Sequence, residues 1–146
     1  MKKYRLTEET TKVGNRPLYR IQALRDFGNV KEGELGGYIE SEKNLSQDGD
    51  AWVYGDACVY GDARVYGNAD IKTTGDICSM SGFGSEYRTT TAFRTKNGDV
   101  HVSCGCFQGN LEAFCQRVES THGNNLYGRE YKKMIEMLKI HFEVEP

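Results

Sequence analysis

Between Gly49 and Lys72 the chain reads GDAWVYGDACVYGDARVYGNADIK, a six-residue unit, Gly-Asp/Asn-Ala-x-Val/Ile-Tyr/Lys, repeated with almost no drift. So strict a period specifies a β-solenoid: each unit is too short to bury its own apolar face and does so only by stacking on its neighbours. Testing each phase of the period separately gives two inward positions. One carries Val53, Val59, Val65, Ile71 and Ile77, and three units upstream Leu35. The other carries Ile39, Leu45, Ala51, Ala57, Ala63 and Ala69 and ends at Gly75. The Gly-Asp or Gly-Asn pair between them supplies corners, because Gly has no Cβ and Asp and Asn tolerate positive φ.

Aliphatic at i, Gly at i+2, Asp/Asn at i+3 and small at i+4 resembles the hexapeptide pattern of left-handed β-helices. The resemblance implies three units per triangular coil, a left hand, and columns of residues eighteen apart, Leu35 over Val53 and Ile71, and Ile39 over Ala57 and Gly75. Roughly two and a half coils fit between Leu35 and Gly82, and so short a stack leaves both ends of its core open. The expected fold is therefore mainly β: a short left-handed β-helix over residues 35–82, an N-terminal cap over 1–34, and a cap over 83–146 made of a β-hairpin and two helices, the whole one compact unit.

The flanks carry the signals of such caps. RPLYRIQALRDFG, with Leu18, Tyr19, Ile21, Leu24 and Phe27, reads as a strand or short amphipathic piece made basic by Arg16, Arg20 and Arg25. EYRTTTAFRTKNGDVHVSCGCF is rich in Thr, Val and aromatics and bends at Asn97-Gly98, a strong hairpin signal. From Asn110 the period becomes helical. Leu111, Phe114, Cys115 and Val118 form one face behind an Asn110 cap, with Gly123 as the stop, and Tyr127, Tyr131, Met134, Leu138 and Phe142 form the stripe of a second helix.

Composition narrows the function classes. A chain of 146 residues with net charge −2 offers no broad footprint for nucleic acid. No apolar run approaches a membrane span, and MKKYRLTEETTK lacks the apolar segment of a secretory signal. Five cysteines, an odd number, suit a reducing compartment rather than a disulfide framework, so the expected location is the cytoplasm. Between Asp48 and Asp70 five aspartates face one cation, Arg64, which makes the outer surface of the repeats acidic.

Three segments, KYRLTEET, ALRDFGNVKEGELGGYIESEKNLSQDGDAWVYGDA and CGCFQGNLEAFCQRVESTHGNN with the later YKKMIEMLKIHF, resemble uncharacterised hexapeptide-repeat proteins of bacteriophages and prophages. That resemblance covers nearly the whole chain. It implies an accessory protein of a mobile element acting in the host cytoplasm, and brings no reaction and no cofactor with it.

Several chemistries compete for the remaining residues. Many hexapeptide proteins are acyltransferases that use a histidine base beside a coenzyme A or carrier thioester. Here His101, His122 and His141 all lie outside the repeats, and no long loop interrupts residues 53–82, so catalysis is not expected. Cys104, Cys106, Cys115 and His122 offer zinc-type ligands, but a CxC with one later Cys and His is a weak signature, and cysteine also packs as a small hydrophobe. Trp52, Tyr54, Tyr60 and Tyr66 flank the inward aliphatics, and strand alternation should turn them outward as an aromatic girdle, covered by the chain's own caps or used as an interface. Arg64, Lys72 and Arg88, or Arg16, Arg20 and Arg25, are the cations available to an anion beside those rings. Gly82-Phe83-Gly84 lacks the strand-loop-helix context of a phosphate loop.

The expectation is a non-catalytic binding protein. It is a homo-oligomer, most simply a trimer, that takes a host protein or a small nucleotide at Trp52, Tyr54, Tyr60, Arg64, Tyr66, Lys72 and Arg88. An acyltransferase and a purely structural assembly protein are the alternatives. The assigned phase makes a first prediction: Val65→Asp costs about 3 kcal/mol or more in urea unfolding through an unpaired buried charge, while Arg64→Asp costs well under 1 kcal/mol. Equal losses contradict the phase.

Overall fold

In the computed structural model, which describes residues 2–144, successive passes of the repeat region pair in parallel. The chain opens with a hairpin, β1 (Tyr4–Val13) and β2 (Arg16–Ala23), turning at Gly14 with φ +61°. Four short strands follow: β3 (Leu35–Ile39), β4 (Trp52–Val53), β5 (Cys58–Val59) and β6 (Asp70–Ile71). The C-terminal part contains β7 (Ile77–Phe83), β8 (Arg88–Arg94), β9 (Val100–Cys104) and β10 (Phe107–Asn110), then α1 (Leu111–Thr121) and α2 (Leu126–His141). Sheet orders are β1-β2-β3-β5, β4-β6 and β10-β9-β8-β7. The architecture is mainly β with two C-terminal helices.

The stacking differs from the expected columns in its first pass. Val53 pairs with Ile71 at the expected eighteen-residue step, but Ile39 pairs with Val59 and Leu45 with Val65, each twenty apart. The cause is two extra residues between Leu45 and Val53. They move Ile39 and Leu45 into the bulky phase, and both are fully buried. Leu35, placed in the inward column by its spacing, is 50% exposed. Gly36 and Gly37 lie against the next pass instead. A Cβ on Gly36 would lie 2.6 Å from the Val53 carbonyl, and one on Gly37 would lie 2.5 Å from that of Ala57.

Two short 3-10 turns make side-chain corners. Asn44, fully buried at the end of Glu42–Asn44, donates Nδ2 to the Gly61 and Ala63 carbonyls (3.1 and 2.8 Å) and accepts from the Ser41 amide. It therefore bonds the next pass through its side chain. Asp76, at the end of Thr74–Asp76, accepts from the Lys72 and Thr73 amides at 3.0 Å. Here the parallel ladder stops. The pattern in which Trp52 donates to Ala69 and Tyr54 to Ile71 would have Cys58 donate to Gly75. Instead the Cys58 amide donates to the Thr74 hydroxyl, and the Gly75 carbonyl bonds His141 Nε2 at 2.8 Å.

Antiparallel strands close both ends. β2 pairs with β3, and Phe27, Tyr4 and Ile21 join the repeat core. β7 leaves the repeats to pair with β8, so Ile77 packs on the first core while Cys78 and Met80 pack on a second. That second core lies between the sheet and the helices, around Phe107, Phe114, Tyr131, Met134 and Leu138. The expected hairpin bend at Asn97-Gly98 joins β8 to β9, Asn110 caps α1 by accepting from the Ala113 amide, and Gly123 follows with φ +57°. Cys115, expected on the apolar face of α1, is exposed, because the α1 face that meets the sheet runs through Leu111, Phe114 and Val118.

Trp52 is the largest departure from expectation. It is fully buried, edge-on to Tyr4 (6.2 Å) and Phe27 (5.1 Å). It faces the N-terminal cap rather than solvent. Beside it Lys3, also fully buried, inserts its ammonium into the corner created by the two extra residues, bonding the Ala51 carbonyl at 2.7 Å and those of Gly49 and Asp48 at 3.4 and 3.5 Å, 5.0 Å from the Phe27 ring centroid.

Burial, with Arg25 nearby, lowers the Lys3 pKa from 10.5 to about 8. Between those values the unfolded chain binds more protons than the folded one, so this contribution to stability rises with pH from 8 toward 10.5 and is lost as pH falls through the same window. Burial raises the Tyr4 hydroxyl above its usual range, with the opposite sign but only above pH 10. Wild type is therefore expected to gain thermal midpoint relative to Lys3→Met between pH 8 and 10. A constant difference across that range disproves the assignment.

Candidate functional site

Most cations that face the acidic repeats are already committed. Arg20 donates to Glu9, Asp56 and the Tyr38 hydroxyl and to the Gly36 carbonyl, with its guanidinium 4.4 Å from the Tyr38 ring centroid. Arg16 pairs with Glu40 at 2.9 Å, Lys72 with Asp70 at 3.5 Å and Lys96 with Asp50 at 3.7 Å. Arg25 lies over Phe27. Arg16 and Arg20 hold the N-terminal hairpin to the repeats, and Lys96 ties the β8–β9 turn to them. Among the described residues, Arg25, Arg64 and Arg88 have no carboxylate within ion-pair distance, and of these Arg25 is the one engaged by an aromatic ring.

The aromatic girdle is mostly internal. Trp52 is covered by Tyr4 and Phe27, Tyr54 packs on the repeat core, and Tyr66 lies edge-on to Phe93 (5.3 Å) and His101 (5.1 Å). Tyr60 is 38% exposed, with the Arg16 guanidinium 5.9 Å from its ring. Strand alternation does turn these rings away from the aliphatic column, but the caps then cover Trp52 and Tyr66, and Tyr54 packs half-buried on the repeats themselves. The expectation of an outward girdle fails for that reason.

Two of the proposed residues do come together. Arg64 and Tyr66, on either side of Val65, border a cleft of about 630 Å³ between the repeats and the C-terminal sheet. Lys43 and Ser46 flank it from the first pass, and Ser103 of β9 and Gln108 of β10 from the opposite side. Lys43 is shared with Asp62 at 3.5 Å, and Glu42, also in the lining, pairs with Lys2 at 3.0 Å. The walls thus offer two cations, two serine hydroxyls and an amide beside one carboxylate that Lys2 pairs, a donor-rich lining for an anionic, polar ligand. The volume falls within the ordinary range of small-molecule sites, about 300–1,000 Å³.

Behind the cleft, the Tyr66 hydroxyl and His101 Nε2 share a hydrogen bond of 2.6 Å, and the imidazole stacks on Phe93 at 5.1 Å. Burial raises the Tyr66 hydroxyl and lowers His101, so the imidazole is neutral at pH 7. Sequence reasoning placed His101 in the hairpin without connecting it to the repeats. Nothing local signals the pairing, since the two residues meet only through the docking of β8 and β9 on the last repeat.

The zinc candidates divide. Cys104, Cys106 and His122 border one small recess, whereas Cys115 is exposed on α1 away from it. Among the described residues no three His, Cys, Asp or Glu side chains are grouped to share an ion. Cys104 accepts from the buried Thr90 hydroxyl at 3.2 Å and lies 3.6 Å from the Tyr131 hydroxyl. His141 is engaged with Gly75, and His122 stacks on Tyr131 at 5.8 Å. No described helix is long and apolar enough to cross a membrane.

No family model matches the chain. Over 62 residues it is 39% identical to a protein of Escherichia coli (strain K12) named "Uncharacterized acetyltransferase YdcK"; the match covers 37% of this chain and 19% of that protein. The chain is similar to a limited part of that relative.

Because His101 has its pKa lowered by burial, the stability that depends on its neutral form is present above pH 6.5 and is lost as pH falls through the lowered folded value. In an NMR titration its ring protons should move with a midpoint below 6.5, and Tyr66→Phe, which removes the bonded hydroxyl, should change that midpoint. An unshifted midpoint in both proteins contradicts the pairing.

Proposed function

We propose that this chain is a non-catalytic binding protein on a short left-handed β-helix, and that the cleft between the repeats and the C-terminal sheet takes a small anionic ligand of nucleotide size. Parallel pairing at steps of eighteen and twenty residues supports the β-helix; the hand rests on the hexapeptide resemblance. The observation that carries the binding reading is Arg64, without a carboxylate partner among the described residues, in a cleft lined by Lys43, Ser46, Ser103 and Gln108. The guanidinium suits a phosphate, and Tyr66, half-buried in the same lining, offers an aromatic ring to a base. The resemblance to phage and prophage proteins supports a counter-defence role in which a nucleotide signal is sequestered or a host immune protein is bound in the host cytoplasm.

Similarity to a protein named as an acetyltransferase favours a second reading, acyl transfer from a coenzyme A thioester with His101, neutral at pH 7, as base. The bond from His101 Nε2 to Tyr66 and the absence of His101 from the cleft lining favour binding over turnover. Self-association as a trimer remains part of the proposal, with Tyr60 as the exposed member of the original aromatic set.

Native mass spectrometry of the protein purified from its host, together with an acetyl-coenzyme A turnover assay, tests all three statements. A retained phosphorylated small molecule that is lost in Arg64→Glu, with the fold intact by circular dichroism, is the expected result. Ligand retention unchanged in Arg64→Glu overturns the cleft assignment, release of free coenzyme A from acetyl-coenzyme A that depends on His101 replaces binding with catalysis, and a monomer at micromolar concentration removes the trimer.

A further inference from the structure

A second recess, in the C-terminal module and separate from the cleft, has a chemistry of its own. Its floor is Phe107, Phe114 and Val118, all buried in the second core. Arg88 of β8 and Arg117 of α1 stand beside it, both exposed, and neither has a carboxylate within ion-pair distance among the described residues. No Asp or Glu is part of the described lining. The recess is open to solvent on one side and offers about 110 Å³, on the scale of a single aromatic ring.

The side chains around it are held in place. The Arg117 guanidinium lies 5.3 Å from the Phe107 ring centroid. Arg88 crosses Gly105 so closely that a Cβ there would overlap its guanidinium. Gly105 also has φ +60°, so the turn from β9 to β10 requires glycine on both counts. The Tyr131 hydroxyl is neutral, its pKa raised by burial and then by its bond to Cys104, and it donates to the Phe83 carbonyl at 3.5 Å. The charge on this recess is therefore cationic and mounted over an apolar floor.

We propose that this recess binds a small organic carboxylate, its apolar body resting on Phe107, Phe114 and Val118 and its carboxylate taken by the forks of Arg88 and Arg117. Two guanidiniums without a carboxylate partner among the described residues, beside an aromatic floor, match an amphipathic anion better than a hydrated inorganic ion, which would leave the floor unused, or a neutral hydrocarbon, which would leave the arginines unused. Cys106, exposed at the same rim, is shielded when the ligand is bound.

The probe is benzoate, followed by amide chemical shifts of the full chain, with inorganic phosphate and benzyl alcohol as the anion-only and apolar-only comparisons. Benzoate is expected to shift β8, the β9–β10 turn and α1, with either comparison at least roughly tenfold weaker. Arg88→Ala and Arg117→Ala, both surface changes, should each weaken benzoate by roughly tenfold, and Gly105→Ala should weaken it without removing any charge. Alkylation of Cys106 by iodoacetamide, read by mass spectrometry, should slow on adding benzoate in the wild type and not in Arg88→Ala. Phosphate binding as tightly as benzoate overturns the apolar half of the proposal, and benzyl alcohol doing so overturns the arginine half. Absence of shifts at the recess, with no protection of Cys106, overturns the whole.

Discussion

A parallel rung satisfies its backbone and hides its aliphatic side chain only when another rung lies on each side, and this chain has so few passes that its ends matter as much as its middle. Both ends are closed in the same way. Parallel pairing gives way to antiparallel strands, β2 and β1 beyond β3 in the same sheet, and after β6 a separate antiparallel sheet of β7 to β10. An antiparallel strand can return through a short turn, so each closure uses chain next to the repeats in sequence. The irregular first pass then needs a further device, and Lys3 supplies it by giving the corner carbonyls of Asp48, Gly49 and Ala51 a common donor.

This explains why sequence reasoning succeeded where it did. From Val53 to Ile77 the period never slips, and the described strands follow the assigned phase. Asn97-Gly98, Asn110 and Gly123 act through local backbone chemistry and were visible for the same reason. The first pass was misread because Leu35, Ile39 and Leu45 are all aliphatic, so a frame shift of two residues leaves no trace in a test of apolarity. What distinguishes the true frame is Gly36 and Gly37, whose role appears only when the carbonyls of Val53 and Ala57 are brought against them.

The candidate site was legible only residue by residue. Arg64, Tyr66 and Arg88 could be named, but their surroundings come from segments far away in sequence. Ser103, Gln108 and His101 meet the repeats through the sheet, and Arg117 reaches the Arg88 recess from a helix. The arginines illustrate the difficulty. Arg16 and Arg20 sit in a more basic stretch than Arg64 does, yet both are used internally by Glu40, Glu9 and Asp56. Composition counts charges; it does not say which are already paired.

The place where the ladder ends bears on how such a chain can vary in length. The Gly75 carbonyl, which the ladder pattern would give to the Cys58 amide of the preceding pass, is taken instead by His141 of α2, while Arg94 ties the same corner to the helix end by pairing with Asp76 at 3.3 Å and donating to the Phe142 carbonyl at 3.0 Å. The terminal helix is thus a plug fitted to one particular rung. Extra repeats inserted upstream of Thr73 would carry this corner and its plug outward together, whereas repeats added after Asp76 would separate the corner from the helix residues that bond it.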